Sequence, residues 1–204
     1  NPARDLLDIL HGQGCQGRRI GIELDAYGLT AANYRLVDEA FRYFCTLEDA
    51  SDLVTKLRVV KSRKELQYCR KAGRLADAGL KEANRLAVAG AFEGDILAAM
   101  QGAVFKGDGD YSGNEFIINS GPRAKLGRYL TGRRHLDAKD QLTIEWAGAY
   151  RFYHAAMMRT IVVGKPGKRQ IDVHAAAVEA HLASAAELVP GKTFGDVYDA
   201  YARS

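Results

Sequence analysis

The side chains of this sequence that are best suited to chemistry lie in one stretch, Leu142 to Gly164, which reads LTIEWAGAYRFYHAAMMRTIVVG. It contains one carboxylate, Glu145, and one imidazole, His154. A buried carboxylate can act as a nucleophile or a base, and an imidazole can carry the proton that such a step moves. This stretch is therefore the first candidate for an active site.

Two β-branched, apolar runs within this stretch predict a strand, a turn and a second strand. The first run is Leu142–Ile144 and the second is Met157–Val163, and the small residues Ala147, Gly148 and Ala149 indicate a bend between them. The stretch is therefore interpreted as a β-hairpin.

A regular hairpin centred between Tyr150 and Arg151 pairs Ala147 with His154 and makes Glu145 and His154 diagonal neighbours on one face. The neighbouring alanines leave space beside them, so this face is predicted to be the floor of a pocket. The alternative is a solvated face without chemistry. The predicted pocket face carries Thr143, Glu145, Ala147, His154, Ala156, Met158 and Thr160, and the opposite face carries Trp146, Tyr153, Ala155, Met157 and Arg159.

The composition is that of an ordinary globular chain. The 204 residues are 47% hydrophobic and 26% charged, with a net charge of +4 that is spread along the chain, which argues against nucleic-acid binding. No apolar run approaches the length of a membrane span. Three widely spaced cysteines argue against a disulfide framework and favour a cytoplasmic location.

Secondary-structure signals predict two regions with different organisation. Residues 1 to about 50 alternate helix, strand, helix and strand, with the second strand at Tyr43–Cys45, and this order predicts a parallel pair with a helical crossover. From about residue 62 a long helix and a second helix precede a strand and the hairpin. A helix at Ile171–Leu188 follows, predicted to face inward with Val173, Ala177, Val178 and Leu182, and Thr193 caps a last helix.

The order of these elements resembles the first half of the pita-bread fold of creatinase, Xaa-Pro peptidases and methionine aminopeptidase. The resemblance rests on the helix pair, the Ser120-Gly121-Pro122 turn, the hairpin with Tyr153 and Arg159-Thr160, and the later Pro190-Gly191. It implies an α/β (α+β) chain in which residues 1–52 end a small creatinase-type α/β domain, 53–61 form a linker and 62–204 begin an incomplete catalytic domain. It also implies a homodimer, and we expect further chain or a partner to complete the pocket.

The resemblance places metal ligands where this sequence lacks them. The family's metallopeptidases carry two aspartates on the hairpin, at the positions of Glu145 and Ala156, and a histidine at the position of Arg128. A pair of divalent cations needs several hard oxygen ligands, which alanine does not offer. We therefore expect no metal cofactor, the alternative being one divalent ion such as Mn or Zn held by Glu145.

Within this family, the hairpin pattern is most similar to that of ectoine hydrolase, which implies a hydrolase that opens a C–N bond in a small nitrogenous solute. Glu145 would attack or activate the substrate and His154 would transfer the proton, while the planar guanidinium of Arg128 would bind a substrate carboxylate. Trp146, Tyr153 and Arg159 complete the expected substrate-binding set. A tryptophan in this position is, however, more typical of a core, and an arginine more typical of a structural ion pair or a carbonyl-binding residue behind the site.

Three functions remain open. The first is the metal-independent hydrolase, and the second is an Xaa-Pro-type metallopeptidase with a degenerate site. The third is a homologue that binds a small molecule without turnover. For each of them the expected partners are a small-molecule substrate and a second copy of the chain, with neither nucleic acid nor membrane.

Overall fold

The computed structural model describes residues 1–125 and 133–204, in which seven α-helices and five β-strands are assigned. The chain divides into two units, Asn1–Lys64 and Glu65–Ser204. The first contains α1 (Pro2–Gly12), β1 (Arg19–Ile22), α2 (Ala31–Phe41), β2 (Thr46–Asp49) and α3 (Ser51–Val59), and α4 (Arg63–Leu86) starts at the boundary. The second continues with α5 (Glu93–Lys106), β3 (Ile117–Ser120), a 3-10 helix (Gly121–Lys125), β4 (Asp140–Tyr150), β5 (Tyr153–Val163), α6 (Lys168–Ala186) and α7 (Phe194–Arg203).

The first unit is built on a parallel strand pair. β1 and β2 pair in register from Arg19 opposite Thr46, and α2 forms the crossover between them. The Asn1 side chain caps α1 by accepting a hydrogen bond from the Ala3 N–H at 3.1 Å. The predicted parallel pair is confirmed, but its second strand begins at Thr46 and not at Tyr43.

The second unit is organised around an antiparallel sheet with the order β3-β4-β5. β4 is the middle strand, and its residues from Leu142 to Glu145 are paired on both sides. Helices α4 and α5 supply the apolar side chains that cover one face of this sheet, and the resulting core contains Leu75, Ala83, Ile96, Met100, Val104, Phe116, Ile118, Leu136, Leu142, Ile144, Trp146 and Val163. The even-numbered side chains of β4 therefore form the core face of the sheet.

Close contact between α4 and β4 explains two residues of the hairpin. The Trp146 indole N–H donates to the Ala76 carbonyl at 2.9 Å, and Trp146 is only 2% exposed. A Cβ at Gly148 would lie 2.1 Å from the Ala72 carbonyl oxygen, so only glycine permits this approach. Gly148 is thus a packing residue inside a strand, and the predicted bend at Ala147–Ala149 is wrong.

The hairpin turn lies at Arg151 and Phe152. Both residues have positive φ, at 51° and 66°, and Tyr150 pairs with Tyr153 across them. This places the centre of the hairpin one residue later than predicted, which moves every cross-strand pair by two residues. A shift by two keeps each side chain on its predicted face, because faces alternate with period two.

Helices α6 and α7 follow the hairpin. Thr193 and Asp196 form a capping box at the start of α7, as predicted from the sequence. The prediction that Val173, Ala177, Val178 and Leu182 face inward is wrong. All four are exposed, the two valines and Leu182 by 50%, 43% and 62%. Among the described residues no helix combines the length and apolar character needed to cross a bilayer.

Candidate functional site

Glu145 lies in the middle strand of the second sheet and projects from the face opposite the helices. Its neighbours across the sheet are Ile117 on β3 and Met158 on β5, and its side chain is half-buried. On the β5 side this face is open, because Ala156, Met158 and Thr160 are exposed. Because Glu145 has a paired strand on both sides, its backbone is held in a fixed position, which suits a reacting group.

His154 shares this face but is remote from Glu145. It pairs with Ala149, four residues along β4 from Glu145, which corresponds to a separation of about 14 Å at the usual rise of a strand. The prediction that the two side chains are diagonal neighbours is therefore wrong. The cause is the position of the turn, since the shifted register gives the diagonal position beside Glu145 to Ala156.

Both ring nitrogens of His154 have hydrogen-bond partners within the protein. Nε2 accepts from the Gly113 N–H at 2.9 Å, and Nδ1 lies 3.0 Å from the Phe152 carbonyl oxygen. A carbonyl can only accept, so Nδ1 carries the proton and the ring is the neutral tautomer. His154 thereby connects the turn of the hairpin to the loop that precedes β3.

The same loop is held at a second point. The Asp110 N–H donates to the Ala149 carbonyl at 2.9 Å, and the Asp110 carboxylate accepts from the Arg151 N–H. Together with His154, Asp110 fixes the loop of residues 107–116 against the hairpin tip. The structural role of Asp110 was not predicted, because the Gly- and Asp-rich loop carries no periodicity that indicates its partner.

The other predicted substrate-binding residues that the structure describes lie on the core side of the hairpin. Trp146 is buried beneath α4 and has no surface to offer a ligand. The Tyr153 hydroxyl donates to Glu65 at 2.7 Å, and its ring lies 5.7 Å from that of Tyr68. Arg159 is exposed and donates to the Met158 carbonyl at 2.8 Å. The open face therefore presents none of these three side chains.

Arg128, the predicted carboxylate-binding residue, lies outside the described residues. The residues on either side of that segment are joined through Asp140, whose side chain is 2% exposed. Asp140 accepts from the backbone N–H groups of Gly121, Asp137 and Gln141 at 2.9, 2.9 and 2.8 Å, and it forms an ion pair with Arg134. Nothing in the sequence indicates this network beyond one acidic residue at the start of a buried strand.

The electrostatics of this network favour the charged forms. Burial by itself raises the pKa of Asp140, but the Arg134 guanidinium and the backbone N–H groups of Asp137 and Gln141 outweigh burial and lower that pKa below its usual value. The hydrogen bond to Asp140 likewise raises the pKa of Arg134. Arg134 also donates to the Ser120 hydroxyl at 2.7 Å, so the pair joins the end of β3 to the start of β4.

The described residues do not fit a pair of divalent cations. Glu145 is the one carboxylate that β3, β4 and β5 place on the open face, and its diagonal neighbour Ala156 has no donor atom. Within residues 1–125 and 133–204 no group of three or more His, Cys, Asp or Glu side chains is arranged to hold a metal ion. Paired cations require more hard ligands than this face provides.

A family model for metallopeptidase family M24 matches residues 67–204, which is more than half of the chain. The chain belongs to metallopeptidase family M24. Its fold is that of the creatinase and pita-bread family, as the resemblance implied. An M24 match covering the helix pair, the sheet and α6–α7 makes the chain part of a hydrolase and peptidase family.

Curated relatives of this M24 chain are peptidases and hydrolases at low identity. It is 28% identical over 206 residues to "Uncharacterized hydrolase/peptidase y4tM" of Sinorhizobium fredii, covering 99% of this chain and 52% of the relative. It is 26% identical to an Xaa-Pro dipeptidase of Pyrococcus horikoshii, covering 75% and 43%, and 25% identical to the ectoine hydrolase of Halomonas elongata, covering 84% and 45%. The chain spans about half the length of the curated relatives it matches.

Solved structures show the same fold. The prolidase from Pyrococcus furiosus superposes with a TM-score of 0.84 at 21% identity, covering 98% of this chain and 57% of that one. At this identity the likeness establishes the architecture of the M24 chain, while the chemistry has to be argued from its own residues.

Proposed function

We propose that this M24 chain is part of a hydrolase that cleaves a C–N bond in a small nitrogen-containing solute without a metal ion, with Glu145 as the acting carboxylate. The observation that carries the proposal is the position of Glu145, on the central strand, facing an open surface beside Ala156. The similarity to an ectoine hydrolase supports the substrate class.

The proposed chemistry begins at the Glu145 carboxylate. It either attacks the electrophilic carbon of the substrate or takes a proton from a water molecule that attacks this carbon. The separation of about 14 Å along the strand removes His154 from direct proton transfer with Glu145. We therefore propose His154 as a positioning residue, which holds the loop of residues 107–116 at one end of the open face.

Substitution of Glu145 by Gln tests this assignment. Glutamine keeps the shape of the side chain and removes its charge, so we expect turnover to fall at least about 100-fold, as for loss of a general base or nucleophile. Glu179→Gln, an exposed position on α6, is the matched control and should retain full activity. Turnover would be measured on cyclic amidines, betaines and proline dipeptides, and full activity of Glu145→Gln would overturn the assignment.

The alternative is an Xaa-Pro-type metallopeptidase in which Glu145 holds one cation. It is supported by the family and by the similarity to an Xaa-Pro dipeptidase. The two proposals differ in their response to Ala156→Asp, which adds a carboxylate diagonal to Glu145. If one missing ligand weakens an existing site, this variant should bind Mn²⁺ at least about tenfold more tightly, whereas Ala156→Asn should not.

Binding of Mn²⁺ by the unchanged chain and its two variants would be followed by isothermal titration calorimetry. Under the metal-independent proposal, the unchanged chain binds no ion and its activity is insensitive to chelators. Stoichiometric metal in the unchanged chain, together with loss of activity on chelation, would favour the metallopeptidase.

A third candidate is a homologue that binds a small solute without turning it over. The distance between Glu145 and His154 favours it, because the two groups cannot act on one substrate atom as a pair. Saturable binding of a substrate from the same panel, with no product even at high protein concentration, would identify this function. For all three we propose a cytoplasmic homodimer, and sedimentation analysis measures the oligomeric state.

A further inference from the structure

We propose that Cys15 and Cys45 form a reversible disulfide bond when a disulfide oxidant such as glutathione disulfide is present. This bond would cross-link two segments of the first unit of the chain. The proposal is independent of the proposed hydrolase, because both residues lie in the unit Asn1–Lys64. Both thiols are free and half-buried.

Backbone hydrogen bonds bring the two segments together. The Gly17 N–H donates to the Phe44 carbonyl at 2.8 Å, and the Thr46 N–H donates to the Arg18 carbonyl at 3.0 Å. These bonds lie on either side of Cys45 and hold it beside Arg18. They extend the parallel pairing of β1 and β2 toward the loop that contains Cys15.

A tight turn joins Cys15 to Arg18, the residue that the strand pairing holds beside Cys45. The Arg18 N–H donates to the Cys15 carbonyl at 3.2 Å, and the Cys15 N–H donates to the Leu10 carbonyl at 3.0 Å, so the position of Cys15 is fixed from both sides. The Cys45 N–H in turn donates to the Phe41 carbonyl at 3.2 Å. Each cysteine is thus held by its own backbone, which lowers the entropy lost when the two sulfur atoms are joined.

The electrostatics of the thiols agree with this proximity. Burial raises the pKa of the Cys45 thiol, and the neighbouring Cys15 thiol raises it further. Cys69, on α4, belongs to the other unit and serves as an internal control.

The reaction balances with glutathione disulfide as the oxidant. One protein thiolate attacks a sulfur of glutathione disulfide, forms a mixed disulfide and releases one glutathione thiolate. The second protein thiolate then attacks the mixed disulfide, forms the Cys15–Cys45 bond and releases the second glutathione. The protein loses two protons and two electrons, and two glutathione molecules are produced.

The test uses the full chain in buffers of increasing ratio of oxidised to reduced glutathione. Thiols would be counted after denaturation, and the linked peptides identified by mass spectrometry. We expect three thiols in the reduced chain and one in the oxidised chain, with a peptide pair that joins Cys15 to Cys45, and complete recovery on reduction.

Matched variants separate the pair from the third cysteine. Cys69→Ser should form the same linked peptide, whereas Cys15→Ser and Cys45→Ser should not. Any of three results would overturn the proposal. These are three free thiols at every ratio of oxidised to reduced glutathione, glutathione adducts without the linked pair, and a disulfide bond that involves Cys69. Peptide mapping of the unchanged chain decides the question even if a serine variant does not fold.

Discussion

At the scale of single residues, Asp140 contributes more to this structure than its exposed neighbours. It receives three backbone N–H groups and an arginine in a nearly buried position. Removal of one partner of such a network leaves polar groups that neither water nor protein satisfies. We therefore expect the junction between β3 and β4 to depend on its charge.

Asp140→Asn should lower the free energy of unfolding at neutral pH by about 2–4 kcal/mol, because Arg134 then loses its buried charged partner and retains the exposed Asp137. Asp172→Asn is the control, since Asp172 is 53% exposed and pairs with Lys168 on the same helix, and its loss should cost less than about 0.5 kcal/mol. Urea unfolding measures both. Equal effects of the two substitutions would contradict the role given to Asp140.

The pH dependence of the same network has a definite sign. Because the pKa of Asp140 is lowered in the folded chain, its contribution is complete above the usual carboxyl range, near pH 4, and is lost as the pH falls through that range toward the lower folded pKa. The stability difference between the unchanged chain and Asp140→Asn should therefore shrink on acidification. A difference that stays constant from pH 7 to pH 3 would refute this linkage.

At the scale of elements, the hairpin turn uses residues that its conformation does not favour. Arg151 and Phe152 both have positive φ, where Asn-Gly is the usual pair in a two-residue hairpin turn. The backbone strain of such a residue is on the order of 1–2 kcal/mol, so the turn stores about 2–4 kcal/mol. Contacts from Asp110 and His154 hold this turn in place.

Replacing Arg151-Phe152 with Asn-Gly should raise the free energy of unfolding by about 1 kcal/mol, because the new pair adopts positive φ at lower cost. Phe152 is 79% exposed, so little packing is lost. Phe152→Ala is the control and should bring no gain, since alanine keeps a Cβ. Thermal unfolding gives the comparison, and destabilisation by Asn-Gly would show that the turn side chains are needed.

The contact between α4 and β4 depends on Gly148. A Cβ there would meet the Ala72 carbonyl oxygen at 2.1 Å and the Ala76 nitrogen at 2.5 Å, and neither backbone group can move aside without displacing the helix. Gly148→Ala should therefore cost about 3 kcal/mol of stability. Urea unfolding monitored by circular dichroism measures it.

Gly102→Ala is the matched control for this contact. Gly102 lies within α5, and no heavy atom lies within 4 Å of the Cβ that alanine would add. Alanine should stabilise the helix there by about 0.5–1 kcal/mol. If both glycine substitutions changed stability in the same direction, close packing would not be the reason for Gly148.

At the scale of the whole molecule, the features that could be predicted from the sequence are those that depend on local periodicity. The helices, the parallel pair, the hairpin and the face that carries Glu145 all follow from spacing along the chain. The register of the hairpin does not, because Arg151-Phe152 carries no turn signal while Ala147-Gly148-Ala149 carries a misleading one. The reason for Gly148 lies on a helix more than 70 positions away in sequence, which no local pattern reveals.

In the candidate site, too, features set by local spacing were predicted and features set by distant contacts were not. The face of Glu145 was predictable from alternation, whereas its distance from His154 depends on the turn. Asp140 was missed because its partners, the backbone groups around it and Arg134, come together only in the folded chain. The inward face of α6 was predicted wrongly, because exposed apolar residues follow the same helical spacing as buried ones.

Trp146 is the only tryptophan of the chain, and its indole is fixed beneath α4. Its fluorescence is therefore an intrinsic optical probe of helix–sheet docking in the second unit, and it reports nothing directly from residues 1–64. A shift of the emission to longer wavelength marks the point at which α4 leaves the sheet. Comparison with circular dichroism, which follows the helices of both units, then separates this step from unfolding of the whole chain.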